Sequence, residues 1–375
     1  MKHVLLLFYN KITCLKIYRE YKLKILNRLI TVLTFLQICY LPLACQPNNA
    51  TELQKELGKS HGFDVTKNIE WAKPNGHSLT MDIYIPQTGK ESYPVLIVFH
   101  GGGWLINNNS IMNSMSEYIA QNSEYIVCNV NYRLLVDNGN TVTMNQMIED
   151  AMGAVLWIKE NIANYKGDSS KIIVTGDSAG GHLAEMVVMA GKNLETDGFE
   201  GDTYGFNPTY LPPGKTAEEI AADSGLEVQA AILSYPAIDI YDTALGGLEQ
   251  PSNFFWSMGG ATARGIFGSE YNVQDNPNMY KAVSPNYFIP ESTERKLPPH
   301  FCQVGSMDDL ITPEIVQEYV ELLQSKGHHA EFWIHEGRPH AYLDSGHNDY
   351  LGIEFTKDAP IAIDKMIDFM DRVLK

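Results

Sequence analysis

Lys171-Ile172-Ile173-Val174-Thr175 runs directly into Gly176-Asp177-Ser178-Ala179-Gly180-Gly181, and His182-Leu183-Ala184-Glu185-Met186-Val187-Val188-Met189-Ala190 follows at once. The first five residues read as a buried strand and the last nine as a helix, so the chain must turn sharply in the six between. A serine on such a strand-to-helix turn, flanked as G-x-S-x-G, sits in strained backbone geometry with its hydroxyl presented outward. Side chains at positions 176 and 180 would collide with the neighbouring strand and helix, which is why glycine stands there. Ser178 is therefore the candidate nucleophile. A glycine-rich turn with an incidental serine would look the same, so the reading depends on what surrounds it.

Outward from this turn, apolar runs alternate with stretches of helical spacing. Upstream, Pro94-Val95-Leu96-Ile97-Val98-Phe99 is continuously apolar, as a strand buried on both faces should be. A helical stretch from about 111 to 121, a strand at 125–130 and a helix at 144–158 follow. Downstream come strands at 229–234, 299–304 and 331–334, with helices at 313–325 and 361–374. Before them all, 68–72 and 79–85 read as an antiparallel entry pair. Strands alternating with helices predict an α/β fold, a mostly parallel central sheet with helices on both faces and ligands at the carboxyl ends of the strands. Residues 192–227 and 238–297 break the alternation with Gly, Pro, Asn and Tyr and read as insertions, the second lid-like. Its Phe254-Phe255-Trp256 cluster would either line a pocket or pin the insertion to the body.

Directly after the strand ending at Phe99 stands His100-Gly101-Gly102-Gly103-Trp104. Three glycines leave backbone N–H groups unobstructed, and two such groups aimed at one oxygen stabilise a tetrahedral oxyanion. With this loop upstream of the G-x-S-x-G turn, the sequence resembles an α/β-hydrolase of the hormone-sensitive-lipase type, and also the related bacterial esterases that include feruloyl and acetyl-xylan esterases. Asn131-Tyr132-Arg133-Leu134 after a strand matches as well, and the resemblance covers roughly residues 65 to 375. It implies the α/β-hydrolase fold, an oxyanion hole from the N–H groups of Gly102, Gly103 and Ala179, and a loop-stabilising role for His100. No G-x-x-x-x-G-K-[ST] and no strand-linked G-x-G-x-x-G stands in the sequence, so no cofactor is expected, and the chemistry is expected to be metal-independent.

A serine hydroxyl needs a base near neutral pH, and in this fold the order is nucleophile, acid, base. His340, in the turn-like stretch after the last strand, is the candidate base, with His347 as competitor. The pattern Gly305-Ser306-Met307-Asp308-Asp309-Leu310 selects Asp308 as the orienting acid, with Asp309 as runner-up. Asp177 adjoins Ser178 but should point away and hydrogen-bond within the turn. His335-Glu336 with His340 lacks the H-E-x-x-H spacing of a zinc site, and His328-His329 read as exposed polar residues.

Composition narrows the partners. The 375-residue chain is 44% hydrophobic and 19% charged, and carries a net charge of −17. Residues 1–44 hold seven Lys/Arg against one Glu, so with that +6 set aside the body stands at −23. A body this acidic suits a neutral ester, small or on an oligosaccharide, and excludes nucleic acid as the expected partner. The basic run from Lys16 to Arg28, the apolar run 29–44 and Cys45 after Leu43-Ala44 resemble a lipoprotein export signal. Pro42 departs from that pattern, and an uncleaved anchor is the alternative. The expected organisation is a signal segment at 1–44, a linker at 45–64 and a catalytic domain at 65–375, exported to a bacterial periplasm or held at a membrane through Cys45, and otherwise secreted. Cys128 and Cys302 sit in apolar strands and read as reduced core residues.

The expected function is a serine carboxylic-ester hydrolase that removes short acyl groups, acetyl or feruloyl, from a carbohydrate or similar small ester. One alternative is a serine peptidase of the same fold, whose relatives usually carry an amino-terminal propeller. The other is an inactive hydrolase-like binding protein.

Overall fold

The computed structural model describes residues 60–374. The signal segment, Cys45 and most of the linker lie outside the described residues. Eight strands form one sheet: β1 (Phe63–Ala72), β2 (Leu79–Pro86), β3 (Tyr93–Phe99), β4 (Ile126–Val130), β5 (Gly167–Asp177), β6 (Ala230–Ser234), β7 (His300–Gly305) and β8 (Ala330–His335). Their order is β1-β2-β4-β3-β5-β6-β7-β8. β1 and β2 pair antiparallel, β2 meets β4 antiparallel, and every pairing from β4 through β8 is parallel. This is the expected α/β architecture.

The continuous apolar runs became the central strands because both faces are covered. Residues 95–99 of β3 and all of β4 and β6 are buried. Helices α1 (Asn113–Asn122) and α9 (Pro360–Val373) lie together, joined by the Tyr118 hydroxyl donating to Asp364 at 2.9 Å. Helices α2 (Met144–Asn161) and α3 (Ala179–Ala190) pack on each other and on β5. Helix α8 (Pro313–Ser325) covers β7 and β8. The start of α2 is set by a capping box in which Thr143 accepts from the third helical N–H and Gln146 reaches back to the Thr143 N–H at 3.1 Å. Cys128 and Cys302 are buried and free.

Two details differ from the sequence reading. β1 begins at Phe63, two residues inside the expected linker and five before the expected strand. Its first half is largely exposed and its register shifts between Thr66 and Ile69, where Asn68 takes a φ of 55° and donates its N–H to Asp82. An exposed, bulged edge strand carries no alternating pattern to read. The second detail is His328, expected on the surface with His329. His329 is exposed, whereas His328 is buried, accepting from the Leu297 N–H at 3.3 Å and donating to the Pro290 carbonyl at 2.8 Å.

Both insertions lack strands of the sheet. Residues 192–227 contain one short helix, α4 (Ala217–Ala222), and 238–297 contain α5 (Ile240–Leu245), α6 (Phe254–Met258) and α7 (Pro277–Ala282). The second insertion is stapled down by Arg264, whose guanidinium donates to the carbonyls of Leu135, Asn140, Val142 and Gly265 at 2.6–2.8 Å.

Candidate active site

Ser178 stands between the end of β5 and the first residue of α3 with φ 51° and ψ −118°. That is a sparsely populated conformation for a residue with a side chain, and it persists because its surroundings fix it. The Ser178 N–H donates to the Ser234 carbonyl at 2.9 Å, and its carbonyl accepts from the N–H groups of His182 and Ala237 at 3.2 and 3.1 Å. Close approach explains the glycines. A Cβ on Gly180 would lie 2.0 Å from the Phe99 carbonyl oxygen, and one on Gly176 would lie 2.2 Å from the Gly180 oxygen.

The serine, histidine and aspartate selected from the sequence meet in a line. His340 Nε2 lies 3.0 Å from Ser178 Oγ, and His340 Nδ1 lies 2.7 Å from Asp308 Oδ2. Asp308 is buried at the end of β7, and its other oxygen accepts from the N–H groups of Leu310 and Ile311 at 3.0 and 2.9 Å. One carboxylate oxygen is thus held by the backbone while the other faces the imidazole. The Nδ1–H then donates to Asp308 and leaves the Nε2 lone pair toward the serine hydroxyl. Asp309 and His347, the competing acid and base, are both exposed, and neither makes a hydrogen bond with the three.

Gly102 (φ 125°) and Gly103 (φ 59°) form the loop above the serine. Among the described residues, the N–H groups of Gly102, Gly103 and Ala179 donate to no acceptor. The loop is held from below. The Gly102 carbonyl accepts from Leu105 and Ile106, the Tyr132 hydroxyl donates to the His100 carbonyl at 2.6 Å, and the His100 ring stacks on Tyr132 at 4.4 Å. Burial pushes His100 down to about 4, so it is a neutral brace. Arg133, next to Tyr132, makes a buried bidentate pair with Asp150 at 2.6 and 2.8 Å. That pair ties this segment to α2.

Asp177 departs from the sequence reading by reaching beyond its own turn: its carboxylate accepts the Gly101 N–H at 2.7 Å, joining the serine turn to the glycine loop. Burial pushes it up to about 6, against the opposing pull of His340 and the Gly101 N–H.

Within the aromatic cluster of the second insertion, Trp256 is buried and donates to the Leu248 carbonyl of the same insertion at 2.7 Å. The Phe255 ring lies against Gly103, so that a Cβ there would come within 3.2–3.3 Å of it, and Phe254 stacks on Phe255 at 4.3 Å with its own face exposed. Sequence reasoning missed Tyr235. It sits edge-on to His340 at 4.7 Å, and its hydroxyl accepts the Leu343 N–H at 3.3 Å, holding the loop after the histidine. Nothing in the sequence marks it except its place one residue past β6.

Fold and site together define an α/β-hydrolase with a serine, a histidine and an aspartate in line at the carboxyl ends of its strands. The BD-FAE family profile matches residues 81–323, and the chain belongs to that family. It is similar to isoprenylcysteine alpha-carbonyl methylesterase ICME of Arabidopsis thaliana, 25% identical over 70% of this chain and 54% of the relative. Esterase LipQ of Mycobacterium tuberculosis is 28% identical over 62% of this chain and 46% of its own length. The chain spans about half the length of these relatives. Thermogutta terrifontis esterase 2 phosphoramylated by tabun shares the fold with a TM-score of 0.56 at 22% identity, covering 82% of this chain and 95% of that one.

Proposed function

We propose that this chain is a serine carboxylic-ester hydrolase working through an acyl-enzyme. The observation that carries the reading is the line from Ser178 Oγ through the His340 ring to Asp308, with contacts of 3.0 and 2.7 Å. His340 Nε2 takes the Ser178 proton as Oγ bonds to the ester carbonyl carbon. The carbonyl oxygen becomes an oxyanion on the N–H groups of Gly102, Gly103 and Ala179. Collapse of the intermediate breaks the carbon–oxygen bond to the alcohol, which leaves with the proton from His340. Water, deprotonated by His340, releases the acid and restores Ser178. Asp308 holds the imidazole in the required tautomer and offsets its charge. The esterase names of the relatives support this reading.

The substrate we propose is a short acyl group, acetyl or feruloyl, on a carbohydrate or similar small ester. Family membership and the acidic body support it. The proposal includes export and a lipid anchor at Cys45, supported by the basic and apolar run before that cysteine. A fluorophosphonate probe should label the protein once, at Ser178; inertness would instead favour the binding-protein alternative. Turnover of acetylated and feruloylated oligosaccharides, compared with aryl esters of increasing chain length, tests the substrate. Preference for long-chain esters would overturn the carbohydrate reading. Fractionation of expressing cells tests the anchor, which predicts membrane association lost in Cys45→Ser.

A further inference from the structure

His182 lies one helical turn past Ser178, fully buried, and takes no part in the proton transfers above. Its two ring nitrogens make two different contacts. The indole N–H of Trp104 donates to His182 Nδ1 at 3.2 Å, and His182 Nε2 lies 2.7 Å from the carbonyl of Val283, next to α7 in the second insertion. Nδ1 must accept and Nε2 must donate, so a single neutral tautomer satisfies both. Burial pushes the ring down to about 4, consistent with that state.

Trp104 directly follows Gly103. It stands at φ 64°, unfavourable for a large residue, and its carbonyl accepts the Leu135 N–H at 2.9 Å. Leu135 therefore fixes the Trp104 backbone, while its side chain is fixed by His182. Because residue 103 is a glycine with wide backbone freedom, the direction of the Gly102 and Gly103 N–H groups depends on what holds the next residue. The insertion touches the same loop again where Phe255 covers Gly103.

We infer that His182 is a positioning residue: it ties the serine helix and the second insertion to Trp104 and thereby sets the aim of the oxyanion donors. The inference rests on the esterase reading. Oxyanion donors act on the transition state more than on the bound ester, so loosening them should lower kcat with little change in KM.

The experiment measures kcat and KM on a short aryl acetate for His182→Leu, His182→Gln, Trp104→Phe and the double variant His182→Leu/Trp104→Phe, with thermal unfolding of each. We expect kcat to fall about 10- to 100-fold in His182→Leu and Trp104→Phe with KM within about threefold, less than the 10²–10³ of removing a donor outright. The double variant should be no worse than the poorer single one, because both break the same link. Glutamine offers an acceptor and a donor and should restore activity to within a few fold of the natural enzyme. Trp104→Phe removes the indole N–H with part of the ring and leaves His182 and its Val283 contact in place, so it reads out even where His182→Leu does not fold. A folded variant with unchanged kcat, a loss confined to KM, or single losses that multiply would overturn the inference. Inactivity of the unaltered protein on every ester would instead overturn the esterase reading.

Discussion

The Asp177 carboxylate accepts the Gly101 N–H at 2.7 Å and so joins the serine turn to the glycine loop through a buried acid. A neutral amide could accept the same bond, so the charge at this position has a separable energetic consequence.

That consequence is a pH dependence. Burial raises Asp177 from 3.8 to about 6 in the folded protein. A carboxyl whose folded value is raised contributes stability below its unfolded value and loses it as pH rises through about 6. Above that value the buried charge opposes folding. Asp177→Asn should therefore gain stability relative to the natural protein between pH 4 and pH 8. Scanning calorimetry at the two values should show the Tm difference moving in the variant's favour by several degrees. A difference independent of pH would contradict the assignment.

Asp308→Asn should lower kcat by about 10³- to 10⁴-fold with KM little changed, because the amide favours the wrong imidazole tautomer. Asp309→Asn and His347→Ala should remain within about twofold. Steady-state kinetics on an aryl acetate distinguishes them, and a large loss in Asp309→Asn with retention in Asp308→Asn would exchange the two roles.

Arg133→Met should destabilise the protein by about 3–5 kcal/mol, since it leaves Asp150 buried without its bidentate partner. Urea unfolding measures this. A loss below about 1 kcal/mol would mean that water reaches the site in the variant. Its effect on kcat should be smaller than that of Asp308→Asn, because Arg133 supports the glycine loop only indirectly, through its chain neighbours Tyr132 and Leu135.

The parts of the site that could be read in the sequence are those that follow a strand of the sheet. His100 to Gly103 follow β3, Ser178 follows β5, Asp308 follows β7 and His340 follows β8. Apolar runs mark the central strands β3 and β5, and glycine marks where backbone must approach backbone, as where a Cβ on Gly305 would lie 2.1 Å from the Arg338 oxygen. What stayed hidden depends on contacts between segments far apart in sequence. The Asp177 bond to Gly101 spans 76 residues, and the His182 bond to Val283 spans 101. A polar side chain's partner across such a gap leaves no local pattern. His328 illustrates this, since two polar contacts bury a histidine that looks like part of an exposed pair. The first half of β1 was hidden for the opposite reason, being too exposed to show a period.

The most direct test of the account is the turnover of a short aryl acetate by Ser178→Ala, measured beside its thermal unfolding. Hydrolysis is expected at or near the uncatalysed rate in a protein that unfolds within a few degrees of the natural one. Retained hydrolysis by the folded variant would contradict it, because the ester would then be cleaved by a group other than the serine that His340 and Asp308 are arranged to serve.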